Sequence, residues 1–363
     1  MIKQIITLIF GTCVCFSVFA RTGVFPQSSF DELSYGLYWF GADNQYEEAS
    51  SSTQDGSTYY DPEKPTLILI HGWQNGSITD QDRQTFYEDD SNGWPDKDFA
   101  NSWISAGYNV GLLYWDQFVD ESEVKDAEAK IWSTEGNQAM RWIDSEGTYH
   151  SGPDQNVTEL LLAKYEAAMA GYQGSDIRLA GHSLGNQLAL RLADQLVQLA
   201  DAGDINSNEV PGRVSLLDPF YSNYAKSYLD GEWVGEKARE IVKRLKAADI
   251  AIDSYRTSLV TSTIFVGDEN TELQNSVAFE EEKTSYFNQT QQSQKHSAAI
   301  WLYLWSIEYA TPTVSDNTLS GLSAATTNDE VKQWMDTTDH LVQSSGGDTK
   351  DPQDNVFETE GAL

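Results

Sequence analysis

Ser175-Asp176-Ile177-Arg178-Leu179-Ala180-Gly181-His182-Ser183-Leu184-Gly185-Asn186-Gln187-Leu188-Ala189-Leu190-Arg191-Leu192-Ala193 reads as a short strand, Ile177 to Ala180, that turns sharply into a helix. Leu188, Leu192, Leu196 and Leu199 recur at three- and four-residue spacing, which makes one apolar helix face. At the junction, Gly181-His182-Ser183-Leu184-Gly185 fits the Gly-x-Ser-x-Gly elbow. A serine on so tight a turn needs small neighbours, because strand and helix backbones approach closely there. The turn lifts the Ser183 hydroxyl clear of the sheet, with a helix N-terminus behind it to favour developing negative charge.

Working outward, strands and helices alternate. Ser34 to Phe40 is β-prone, and Thr66-Leu67-Ile68-Leu69-Ile70 is a continuous apolar run suited to a strand buried on both faces. Tyr108 to Trp115 is the next buried strand, preceded by a helix over Asp98–Ala106. A helical pattern covers Val124 to Trp142, and the loop Asp144–Asp154 is read as packing an insertion. Val157 to Tyr172 is an amphipathic helix leading into the elbow strand. After the elbow helix come strands at Arg213–Pro219, ending in Asp-Pro, and Ile250–Tyr255, with a basic helix over 235–247 between them. Residues 267–295 read as a polar loop, the expected cover over the site, and His296 opens an apolar helix. This alternation predicts an α/β fold with a doubly wound, mostly parallel sheet.

Composition bounds the setting. Lys3 followed by the apolar run Ile5–Phe19 and the small-residue site Val18-Phe19-Ala20 predicts a signal peptide over 1–20. The expected organisation is therefore 1–20 signal peptide, 21–310 catalytic domain and 311–363 polar C-terminal extension, in a protein secreted or held in a periplasm. Both cysteines, Cys13 and Cys15, fall inside the signal, so no disulfide, thiolate metal site or cysteine nucleophile is expected after it. Asp and Glu number 56 against 23 Lys and Arg, and the net charge is −33. Such a chain is repelled by nucleic acid and by anionic membrane surfaces. No integral membrane span is expected once the signal is removed.

A serine nucleophile needs a base, and the base needs an acid to hold its tautomer. Among the five histidines, His71 follows the Thr66–Ile70 strand in a loop and reads as a structural imidazole. His182 belongs to the elbow, His150 to an insertion and His340 to the polar extension. His296 is late in the chain and follows a long loop, as the order Ser…Asp…His requires of the base. Ser183, Asp218 and His296 satisfy that order, with Asp253 as the alternative acid. The N–H groups of Trp73, in the loop after the Thr66–Ile70 strand, and Leu184, after the serine, are the expected oxyanion donors. No cofactor is expected.

Leu67-Ile68-Leu69-Ile70-His71-Gly72-Trp73, Tyr114-Trp115-Asp116, the elbow, Leu217-Asp218-Pro219 and His296 before an aromatic helix stand in one order over residues 35–310. In these motifs the chain resembles the pancreatic-lipase-like family of α/β-hydrolase lipases. The resemblance implies a triad whose acid ends a Leu-Asp-Pro strand, which favours Asp218 over Asp253. It implies a serine carboxylic-ester hydrolase of lipase type, acting on lipid or small ester substrates. Three features depart from the family: there are no disulfides, no C-terminal β-sandwich and no recognisable calcium-site pattern in 219–240. A calcium requirement and a colipase-type partner are therefore not carried over. The alternatives are a non-catalytic lipid-binding protein on a lipase fold, and an esterase or polyester hydrolase using the same triad.

Overall fold

A computed structural model describes residues 25–49, 57–261 and 267–363; the expected signal peptide lies outside the described residues. Among the described residues, eleven strands form one sheet: β1 (Gly36–Phe40), β2 (Tyr46–Glu48), β3 (Thr66–Ile70), β4 (Asn109–Tyr114), β5 (Ile177–His182), β6 (Arg213–Leu217), β7 (Ala251–Arg256), β8 (Ala278–Glu281), β9 (Thr313–Val314), β10 (His340–Ser345) and β11 (Val356–Glu360). Their order is β9-β11-β10-β8-β7-β6-β5-β3-β4-β1-β2. Pairing is parallel from β4 across to β10 and antiparallel at β1–β4, β1–β2 and β10–β11. This is an α/β fold with a doubly wound and mostly parallel sheet, as the alternation of strands and helices predicts.

The residues explain the layers. Every residue of β3 to β6 is buried, as expected of strands covered on both faces. Helices α1 (Phe99–Ser105), α2 (Val124–Trp132), α3 (Val157–Met169), α4 (Gly185–Ala202), α5 (Val234–Ala247), α6 (Gln292–Ser306) and α7 (Asn328–Met335) supply the cover. Helices α3, α4 and α5 lie side by side, and α1 packs on α6, where the Trp103 indole N–H donates to the Leu304 carbonyl at 2.9 Å. Asn156 caps α3 in a reciprocal box with Glu159. The α2 helix stops at Trp132, ten residues short of the expected end, and Trp142–Ile143 pairs instead with Tyr149–His150 in a small ribbon.

Two regions, one read as a polar loop and one as a polar extension, contribute strands to the sheet. The expected cover, 267–295, contains β8, and Leu273, Val277, Phe279 and Phe287 are buried. Residues 311–363 contribute β9, β10 and β11. Their polar look has a cause: β11 sits near the sheet edge and buries Phe357 while Glu358 and Glu360 stay exposed. Two arginines bind this region to the central strands. Arg178 Nη1 donates to the Ala324 carbonyl at 2.5 Å, and Arg213 donates to the Thr326 and Ser323 carbonyls at 2.7 and 2.8 Å.

Candidate active site

The register places three chain reversals at one edge. Ile70 pairs with Gly181, and Leu217 pairs with His182. The next residues, His71, Ser183 and Asp218, therefore leave adjacent parallel strands at their C-terminal ends. That edge is where open α/β sheets place their sites.

At the elbow Ser183 has φ +54°, a left-handed conformation that a non-glycine residue adopts only when its surroundings impose it. The imposing contacts are visible. A Cβ on Gly181 would lie 2.5 Å from the Gly185 carbonyl oxygen, and one on Gly185 would collide with the Ile70 carbonyl. Ser183 N–H donates to the Leu217 carbonyl at 3.1 Å. The Ser183 carbonyl accepts from the Asn186 amide at 2.9 Å and from Phe220 N–H at 3.3 Å.

Asp218, just past the end of β6, also has positive φ, +44°. Its buried carboxylate accepts from His296 Nδ1 at 2.5 Å, and further donors come from Thr257 and Ser258. Burial pushes this carboxyl up; the hydrogen bonds and charge of His296, with those of Ser258 and Thr257, outweigh it and hold the group below its usual range. His296 lies one turn inside α6 rather than at its start. It rests against the elbow: its carbonyl is 3.1 Å from His182 Nε2, and the two rings are 4.4 Å apart.

The alternative acid is elsewhere. Asp253 is inside β7, opposite Ser215, and is bound by Arg213, Ser215 at 2.7 Å and Tyr255 at 2.6 Å. Two further histidines are fixed by their surroundings. His71 Nε2 accepts from Trp115 N–H at 3.2 Å, so Nδ1 carries the proton and donates to the Gly72 carbonyl at 2.9 Å. Burial lowers His71 to about 4, and burial with the nearby charge of His296 lowers His182 to about 3, so both stay neutral. His150 bonds Asp144 at 2.6 Å in the inserted ribbon. His340 begins β10.

The expected oxyanion donors adjoin the elbow. Among the described residues, no main-chain carbonyl accepts from Trp73 N–H or Leu184 N–H. Leu184 is fully buried, where an N–H without an acceptor is costly unless it has a use. The Trp73 indole is pinned to the Glu121 carbonyl at 2.7 Å, and Glu121 is held by Lys130 and Arg141. Asp120 accepts from Gly76 and Ile78 N–H, fixing the rest of that loop.

Sequence reading missed several supports. Gln187 on α4 donates to the Phe220 carbonyl at 2.7 Å and to buried Glu128 at 2.7 Å, which also accepts from Ser222 N–H at 2.9 Å. These bonds tie the loop after Asp218 to the elbow helix. A buried acid on a helix facing a buried amide leaves no periodic signal. Among the described residues, no group of three or more His, Asp or Glu side chains is arranged to hold a metal ion, and no helix is long and apolar enough to cross a membrane.

No family profile and no curated protein matches the chain in sequence. Among solved structures it is similar to LpqC, a poly(3-hydroxybutyrate) depolymerase from Bordetella parapertussis, at 17% identity and a TM-score of 0.30, covering 60% of this chain and 64% of that one. A lipase/esterase from Lactobacillus plantarum matches at 10% identity and 0.30, covering 73% and 86%. The serine hydrolase FphF of Staphylococcus aureus matches at 10% and 0.32, covering 74% and 97%.

Proposed function

We propose that the protein is an exported serine carboxylic-ester hydrolase of lipase type. The observation that supports this best is the convergence at one sheet edge of Ser183, at φ +54°, with a His296–Asp218 pair at 2.5 Å. In this reading Asp218 accepts a hydrogen bond from Nδ1–H of His296 and so leaves Nε2 as the basic nitrogen. His296 takes the Ser183 proton as the hydroxyl oxygen attacks the ester carbonyl. The N–H groups of Trp73 and Leu184 receive the oxyanion. The imidazolium then protonates the leaving alcohol, and water, activated by the same base, releases the acid. The motifs shared with pancreatic-lipase-like enzymes support lipid acyl esters as substrates, and the leader-like residues 1–20 support export.

The test compares wild type and Ser183→Ala on p-nitrophenyl esters from acetate to palmitate, on triglyceride and phospholipid emulsions, and on a dispersed polyester. Hydrolysis of long-chain esters lost in Ser183→Ala supports the lipase reading. Activity restricted to short esters, or to the polyester, moves the substrate class. Fatty acid bound without turnover of any ester overturns catalysis in favour of a carrier.

A further inference from the structure

We infer that Ser258, assisted by Thr257, is a positioning residue that fixes the Asp218 carboxylate and the start of the His296 helix to one short strap. The inference rests on the hydrolase reading above.

Among the described residues, the carboxylate of Asp218 takes four donors. Oδ1 accepts from Thr257 N–H at 3.1 Å and Ser258 N–H at 3.4 Å; Oδ2 accepts from the Ser258 hydroxyl and from His296 Nδ1 at 2.5 Å. Three of the four therefore come from two adjacent residues just after β7. Both are buried, at 6% and 4% exposure, so water does not compete for these bonds.

The same strap grips the base. Thr257 Oγ1 donates to the Lys295 carbonyl at 2.7 Å, and Leu259 N–H donates to Gln292 Oε1 at 2.8 Å. Lys295 and Gln292 occupy the first turn of α6, immediately before His296. Acid and base thus come from different elements but share one anchor three residues long. Asp218 stands at a strained backbone position, so its side-chain direction needs an external hold. A carboxylate rotated about its Cβ–Cγ bond would keep its charge but lose alignment with Nδ1–H.

The choice of serine follows from two uses of one atom. Its Oγ–H donates to Oδ2, and its oxygen accepts from Val260 N–H at 3.2 Å. Alanine supplies neither bond. Ser258 acts through Asp218 and not on the substrate.

The test uses Ser258→Ala, Ser258→Thr and Ser258→Val beside wild type and Ser183→Ala. The readouts are kcat and KM on p-nitrophenyl butyrate, the rate of Ser183 labelling by a fluorophosphonate, and melting temperature. Ser258→Ala should lower kcat and the labelling rate together by roughly 10- to 100-fold, with KM changed less than about twofold. Ser258→Thr, which keeps the hydroxyl, should recover most of the labelling rate. Ser258→Val, of the same shape without it, should remain as slow as Ser258→Ala. A wild-type labelling rate in Ser258→Ala overturns the inference, as does equal recovery by Thr and Val. A change in KM alone also overturns it. If wild type neither hydrolyses ester nor takes the label, it is the hydrolase reading that fails, and the positioning role falls with it.

Discussion

A Cβ built on Gly72 would stand 2.7 Å from the Cβ of Ser183 and 2.8 Å from the His182 carbonyl oxygen. The loop after β3 is pressed on the elbow with no room for a methyl group. Gly72→Ala must therefore push the Trp73 N–H away from the serine. A displacement near 1 Å costs on the order of 100-fold in rate when it disturbs reacting groups. We expect kcat on p-nitrophenyl butyrate to fall by about that factor while the protein still unfolds cooperatively. Unchanged kcat would remove Trp73 from the oxyanion site.

Asp218→Asn and Asp253→Asn should part company. The first removes the acceptor that sets the His296 tautomer, and kcat should drop by roughly 10⁴-fold with little change in melting temperature. The second strips buried Arg213 of its counter-ion, and unfolding stability should fall by about 3–5 kcal/mol while turnover per folded molecule persists. Urea unfolding measured beside active-site titration separates the two; the reverse pattern would move the acid to Asp253.

Glu280 and Glu282 follow one another on a single face at the end of β8. Burial holds Glu280 well above the ordinary carboxylate range, with repulsion from Glu282 adding to it, and burial raises Glu282 to about 7. Because the folded state binds protons more tightly than the unfolded chain, this pair's contribution is fully present below the unfolded carboxylate value. It is lost as pH rises from there through the raised values of the two groups. Replacing both with Gln should flatten the fall in melting temperature over that window. A wild-type slope in the double variant would show that the pair does not govern it.

The net charge of −33 predicts stabilisation by salt. Screening shortens self-repulsion, and at about 1 M NaCl the Debye length is near 3 Å. Melting temperature should rise between dilute buffer and that concentration. A flat or falling curve in scanning calorimetry would refute the prediction.

How legible was this in the sequence? The strand Thr66–Ile70 and the elbow were plain, because five consecutive apolar residues and a Gly-x-Ser-x-Gly junction each have few alternative foldings. Asp218 and Asp253 were harder to separate, since both follow apolar runs. Only strand register tells that Asp253 is still inside β7, opposite Ser215, whereas Asp218 has passed the end of β6. Strand β8 was hidden by its glutamates, which in isolation signal solvent; Glu280 is buried because Leu322 N–H reaches its Oε2 at 3.1 Å. Strands β10 and β11 were hidden by half-polar alternation near a sheet edge. Ser258 carried no pattern at all, being one serine among many, recognisable only once Asp218 was beside it.

The arginine contacts of the central strands bear on how the molecule can be cut. Arg178 and Arg213 stand near the starts of the central strands β5 and β6, yet the acceptors at Ser323, Ala324 and Thr326 belong to the region that reads as an appendage. A nick by protease or a fusion junction placed after residue 310 would leave two guanidiniums inside an apolar layer without those carbonyls. Anyone trimming the chain should therefore place the boundary well beyond that point. The last three strands belong to the architecture of the one large sheet, however polar they look when written out as letters.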